Sequence, residues 1–247
     1  MADTQTGAGN GHITVILDRS GSMESIRADT IGGFNAFLAE QQAVPVATTF
    51  TLVQFDTQDR YEVLHAFAPI AAVQPLTHDT FVPRGGTPLN DAIGRGIIDL
   101  DGRLAALPPE ARPGRIVFVI VTDGQENASR EFTGAQVRGM IDAHRAAGWQ
   151  FVFLSADEHA VRNGAHVNID EDFSMAVGKN AAGSRRMWAA VSSSALAYRC
   201  MAKTDMSLRE QKLRAAEEAQ REDERERQAR QSRTGPQPGG GPGQAQP

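Results

Sequence analysis

The chain is short of sulfur, of basic charge and of long apolar runs, and each shortage removes a class of function. One cysteine, Cys200, among 247 residues leaves no internal disulfide and no thiolate metal cluster, which suits a reducing compartment. The formal net charge is −5 and the isoelectric point is near 5.7. Nucleic acid or an anionic membrane surface would bind against that field, so neither is an expected partner. No run approaches the roughly 20 apolar residues that cross a bilayer. The opening MADTQTGAGNGH carries neither a basic nor an apolar leader region, and the expected location is the cytoplasm. The histidines, His12, His65, His78, His144, His159 and His166, form no short ligand spacing and are expected at the surface or in the core. Cys200 reads as a small buried hydrophobe.

What is present is an ordinary globular composition, 40% hydrophobic, in alternating strand and helix signals. Residues 1–11 read as a flexible lead-in. Ile13 to Leu17 is a short, largely apolar run, the pattern of a strand covered on both faces. Met23 to about Gln41 has apolar residues at helical spacing, with Gly32 and Gly33 as a weak point. Thr49 to Phe55 and Tyr61 to Phe67 form a predicted hairpin. The Gly85-Gly86 pair permits a close backbone approach. Thr87 precedes Pro88 and is expected to cap a helix whose buried face runs from Leu89 to Leu100. Arg115 to Thr122 is the strongest buried-strand signal. It is followed by a helix from Thr133 to Ala147 with Gly148 as C-cap, a strand at Phe151 to Leu154 ending near Asp157, a short helix at Glu158 to Asn163, a strand at Val167 to Ile169, and a helix from Ser184 to Arg199. This alternation predicts an α/β fold over residues 12–202: a doubly wound, mostly parallel sheet with one antiparallel strand and helices on both faces.

The composition then changes. Residues 203–233 hold nine basic and eight acidic residues, with Glu210, Glu217, Asp223 and Glu226 each four residues ahead of an arginine, the favourable order for an exposed helix. No heptad seam runs through it, so a coiled coil is not expected. Residues 234–247 are rich in Gly, Pro and Gln and are expected to be disordered.

The chemistry gathers at strand ends. Asp18, Ser20 and Ser22 follow the first strand at alternate positions, and Asp123 follows the strand at Arg115 to Thr122. Alone, Asp18-x-Ser20-x-Ser22 is equally a helix-capping segment, and Asp123-Gly124 equally a turn. Together with Thr87 they fall where ligands sit on doubly wound sheets, outside the carboxyl ends of the strands. All are hard oxygen donors, which selects Mg2+, Mn2+ or Ca2+ over zinc. Two aspartates offset a divalent charge, and neutral hydroxyls would leave the ion electrophilic, with a position for an outside carboxylate. Glu126 and Asn127, just beyond, read as turn residues or as contacts to a partner.

These segments, Asp18-Arg19-Ser20-Gly21-Ser22, Gly86-Thr87-Pro88 and Thr122-Asp123-Gly124, resemble in order and context the metal-ion-dependent adhesion site of the von Willebrand factor type A domain. The resemblance covers about His12 to Met201. It implies hydroxyl ligation by Ser20, Ser22 and Thr87, ligation by Asp18 and Asp123 directly or through water, and a partner protein's Glu or Asp completing the coordination. The absence of leader and span is similar to stand-alone bacterial or phage members, including the tellurite-resistance-linked type. No catalysis is implied.

Two other functions compete. A phosphoryl-transfer enzyme could use Asp18 as nucleophile with Mg2+, but enzymes of that kind carry a second Asp where this chain has Ser20. A scaffold could instead act through the charged helix at residues 203–233. A Walker-type phosphate loop is set aside, because PRGGTP has neither the lysine nor the glycine spacing.

Overall fold

A largely apolar strand is stable only when both its faces are covered, and the Ile13 to Leu17 run sits in that position. It lies within β1 (Gly11–Asp18), every residue of which is buried. The computed structural model describes residues 10–155, 174–176 and 181–200. In chain order the remaining elements are α1 (Arg27–Gln42), β2 (Thr48–Phe55), β3 (Glu62–Pro69), α2 (Leu89–Ala106), β4 (Arg115–Thr122), α3 (Gly134–Ala146), β5 (Gln150–Ser155), β6 (Ser174–Ala176) and α4 (Ala181–Cys200). The strands lie in the order β3-β2-β1-β4-β5-β6. Only the β2–β3 pairing is antiparallel; β1–β2, β1–β4, β4–β5 and β5–β6 are parallel. The expected fold class is the one found. Asp157, the expected elements at Glu158 to Asn163 and Val167 to Ile169, the charged helix and the terminal tail lie outside the described residues. Among the described residues no helix is long and apolar enough to cross a membrane.

Side chains alternate across β1 and so feed two cores. Ile13, Val15 and Leu17 pack with Phe34, Phe37, Trp188 and Val191, under α1 and α4. Ile16 on the other face packs with Ile93, Ile97, Val137 and Ile141, under α2 and α3. Strand order reverses between β1 and β4: the chain moves from β1 to β2 on one side and reaches β4 on the other. Their carboxyl ends therefore border the crevice where the connecting loops diverge.

Three local expectations change. First, α1 begins at Arg27 rather than Met23, because Gly21–Ile26 takes a tighter 3-10 form, opened by the bond from Met23 N–H to the Ser20 carbonyl at 3.1 Å. Second, the glycine pair does not break α1, which is continuous through it. A Cβ on Gly33 would lie 2.0 Å from Trp188 Cδ1, so this glycine is the notch into which the α4 indole fits. Third, Thr87 does not cap α2. The cap position is Pro88, which makes no side-chain cap bond. The free N–H groups at that end are met from the β4–α3 loop, where Glu126 Oε2 accepts from Asn90 N at 2.8 Å and Ser129 Oγ from Asp91 N at 3.1 Å. By contrast α3 ends as expected, with Gly148 at φ 94° just past its end, and it opens on a reciprocal Thr133–Gln136 capping box.

The notch yields a paired test. Gly33→Ala should destabilise the fold by about 1–3 kcal/mol through overpacking. Gly32→Ala, whose Cβ would meet nothing within 4 Å, should stabilise it by up to about 1 kcal/mol. Urea unfolding of the two variants checks both signs.

His12 lies buried in β1, stacked on Phe67 with ring centroids 4.5 Å apart. Its Nδ1 is 2.8 Å from Thr49 Oγ1 and its Nε2 2.9 Å from Thr14 Oγ1. Burial, reinforced by the charge of Arg103, pushes its pKa from 6.5 down to about 3. The unfolded chain thus takes up a proton near pH 6.5 that the folded protein refuses until near pH 3. Stability is full above the upper value and falls through the window between them. Between pH 6.5 and 5, wild type should lose about 1 kcal/mol per pH unit more than His12→Gln, measured by urea unfolding at each pH.

Candidate metal centre

β1 delivers Asp18 to the crevice, and its two carboxylate oxygens are held separately. Oδ1 accepts from Ser20 N–H at 2.7 Å and Oδ2 from the Thr122 hydroxyl at 2.6 Å. The first bond folds the DRSGS loop back over the strand end; the second ties β1 to β4. Ser20 Oγ and Ser22 Oγ lie 3.1 Å apart, and Ser22 Oγ donates to Asp123 Oδ1 at 2.6 Å. Thr87 arrives on the loop before α2. A Cβ placed on Gly124 would stand 3.2 Å from Ser22 Oγ, 3.2 Å from Thr87 Oγ1 and 3.9 Å from Asp18 Oδ2. Oxygens from three separate segments therefore converge beside a residue that has no side chain to crowd them. All five expected residues meet at one place.

Burial of the carboxylates gives the site its electrostatic character. Asp18 is fully buried and Asp123 is 1% exposed. Burial raises the Asp18 pKa from 3.8 to about 6, the charge of Asp123 adds to that, and the donors Thr122 and Ser20 pull the other way. A divalent cation would relieve this strain between two buried anions. Among the described residues no three His, Cys, Asp or Glu side chains form a metal-holding group, so hydroxyls have to supply the rest. The spacing fits that task. Adjacent ligands of an octahedral Mg2+ at about 2.1 Å stand about 3 Å apart, close to the Ser20–Ser22 separation.

The surrounding bonds explain why the loops hold these positions. Asn127 clasps the Thr87 backbone, its Oδ1 accepting from Thr87 N at 2.9 Å and its N–H donating to the Thr87 carbonyl at 3.2 Å. Glu126 accepts from Ala128 N, Ser129 N and Ser129 Oγ besides Asn90 N. Buried Asp91 accepts from the backbone N–H groups of Arg130, Glu131 and Phe132. Burial alone would raise the Asp91 pKa, but those N–H groups and Arg60 outweigh it and hold the carboxyl below its usual range. Glu126 and Asn127 are therefore cross-loop ties rather than plain turn residues. On the opposite flank Arg19, inside the DRSGS loop, is 5% exposed and reaches Asp56, Gln54 and Glu62.

No family model and no curated protein sequence matches the chain. Solved structures do. Proximal thread matrix protein 1 from the mussel byssus superposes with a TM-score of 0.51 at 16% identity, over 80% of this chain and 48% of that one. The pilus adhesin SpaC from Lactobacillus rhamnosus GG, in its open conformation, gives 0.56 at 13% identity, over 78% of this chain and 30% of that one. The fold is von Willebrand factor A-like. The chain matches less than half the length of the mussel protein and under a third of the adhesin. The mussel protein is also known with a zinc-occupied MIDAS motif, in a structure with a TM-score of 0.49 at 18% identity over 77% of this chain and 47% of that one.

Within this von Willebrand factor A-like frame, sequence reading missed Thr122, Arg19 and Asp56. Thr122 carried a usable signal, a polar residue ending an otherwise aliphatic strand next to Asp123. Arg19 and Asp56 carried none, because their pairing spans 37 positions. Thr122 gives a direct test. Thr122→Val keeps the shape but removes the donor to Asp18 and the acceptor for Gly124 N–H, 3.1 Å away. It should cost about 1–3 kcal/mol in chelator, and Thr122→Ser should recover most of that in the same unfolding assay.

Proposed function

We propose that this chain is a protein-binding module that works through a divalent cation. Asp18, Ser20, Ser22, Thr87 and Asp123 hold the ion, Mg2+ in the first instance, and a Glu or Asp of a partner protein completes its coordination. The observation that carries this reading is the convergence of Ser22, Thr87 and Asp18 oxygens around Gly124, in a site with two carboxylates and otherwise neutral donors. An ion so held keeps its attraction for an outside carboxylate. The mussel byssus protein and the pilus adhesin named above share the fold and are consistent with such a role.

The reading assigns no reaction. A phosphoryl-transfer enzyme would need Asp18 as an accessible nucleophile, whereas both of its oxygens accept hydrogen bonds inside the protein and the residue is fully buried. Ser20 stands where a second carboxylic acid would have to work.

Calorimetric titration of Mg2+, Mn2+ and Ca2+ into wild type and Asp123→Ala tests the proposal. Wild type should bind, and the variant should lose at least about tenfold in affinity, since a charged ligand is removed. Equal affinities would remove Asp123 from the site. Turnover of generic phosphoesters with Mg2+ would replace the binding function with an enzymatic one.

A further inference from the structure

The cation site depends on two loops that are distant in sequence, and one buried residue outside the ligand set grips both. Asp56 follows β2 directly and is fully buried. Its two oxygens divide their work. Oδ1 accepts the backbone N–H groups of Gln58 and Asp59 at 2.6 and 2.9 Å, which fixes the carboxylate on the β2–β3 turn. Oδ2 faces Arg19 and Arg84 together, with Arg19 Nε at 2.9 Å and Arg84 Nε at 3.0 Å. Arg19 belongs to the loop carrying Ser20 and Ser22, and Arg84 to the loop leading into Thr87.

Backbone bonds stitch the same two loops on either side of this hub. Arg84 N–H donates to the Arg19 carbonyl at 2.8 Å, and Gly21 N–H to the Gly85 carbonyl at 3.0 Å. The next residue of the turn, Thr57, accepts the Gly86 N–H at 2.9 Å. Gly85 has φ +68°, and a Cβ there would stand 2.4 Å from Thr57 Oγ1. Only glycine allows this approach, one residue before Gly86 and two before Thr87.

We propose that Asp56 is a positioning residue for the cation site: it sets the spacing between the Ser20–Ser22 hydroxyls and Thr87 by clamping Arg19 and Arg84 on one carboxylate oxygen. The inference rests on the cation-binding reading above. The Asp56→Asn variant tests it cleanly. An asparagine oxygen can still accept from Gln58 and Asp59, but its amide NH2 would face two guanidinium groups and cannot accept from either. The turn and the backbone bonds between the loops survive, and the side-chain clamp on Arg19 and Arg84 is cut.

Selectivity distinguishes positioning from general stability. Mg2+ demands near-ideal octahedral geometry, whereas Ca2+ tolerates irregular and larger cages. A loosened donor set should therefore lose Mg2+ affinity by about tenfold and Ca2+ affinity by less, so the Mg2+/Ca2+ affinity ratio falls. Gly33→Ala disturbs the packing of α1 on Trp188 of α4, outside the donor loops, and serves as the control, in which the ratio should stay at the wild-type value. Both ions are titrated calorimetrically into the full chain, with circular dichroism reporting folding. If Asp56→Asn does not fold, Arg84→Gln breaks the same link from its half-exposed end and should lower the ratio in the same direction. An unchanged ratio in a folded variant, or an equal fall in Gly33→Ala, overturns the positioning role while leaving the cation site standing. A wild type that binds neither ion overturns both.

Discussion

Everything at the carboxyl edge of this sheet answers to one constraint, the burial of two carboxylates side by side. Asp18 ends β1 and Asp123 follows β4, and the strands are direct parallel neighbours, with Leu17 opposite Val121. Parallel pairing in this register leaves the two acids no way to separate. Their surroundings follow from that. Thr122 and the Ser20 N–H hold Asp18, Ser22 reaches across to Asp123, and Gly124 leaves room for the oxygens to meet. A buried anion pair without such donors would be costly.

The sheet and the meeting of Asp18, Ser20, Ser22, Thr87 and Asp123 at one of its edges were legible because both depend on local pattern. Ile13 to Leu17 is a largely apolar run and Ile116 to Val121 a continuous one, and a residue's position at the end of such a run is readable by counting. The ties that hold the donors were not legible. Thr87 looked like a cap because it precedes Pro88, yet the helix N–H groups behind it are met by Glu126 and Ser129, more than 30 positions away in the chain. Gly33 looked like a helix breaker because helix propensity takes no account of Trp188. In both cases a tertiary contact took over a role that a local rule assigns to a neighbour.

Those long-range ties alter what the loops can do. The segments carrying Thr87 and Asp123 would ordinarily be mobile connections, but their backbone N–H groups end on the carboxylates of Glu126 and Asp91 and on the Asn127 carbonyl. Side-chain acceptors of this kind fix a loop almost as a strand ladder would. The donor oxygens are then placed before any ion arrives, which lowers the ordering cost of binding and makes the cage sensitive to ion size. The DRSGS loop is fixed in the same manner from the other flank by Arg19.

Exposure adds a direction to this arrangement. Asp18, Ser20, Thr87 and Asp123 are buried, whereas Gly21 and Ser22 are exposed. An ion among these donors would be walled by protein on the Asp18 and Thr87 sides and open toward Ser22. Both Asp18 oxygens already accept hydrogen bonds inside the protein. A single carboxylate needs only one coordination position and a straight approach. On the proposed reading, the burial of Asp18 would leave a bound cation as the group that a partner's carboxylate could touch.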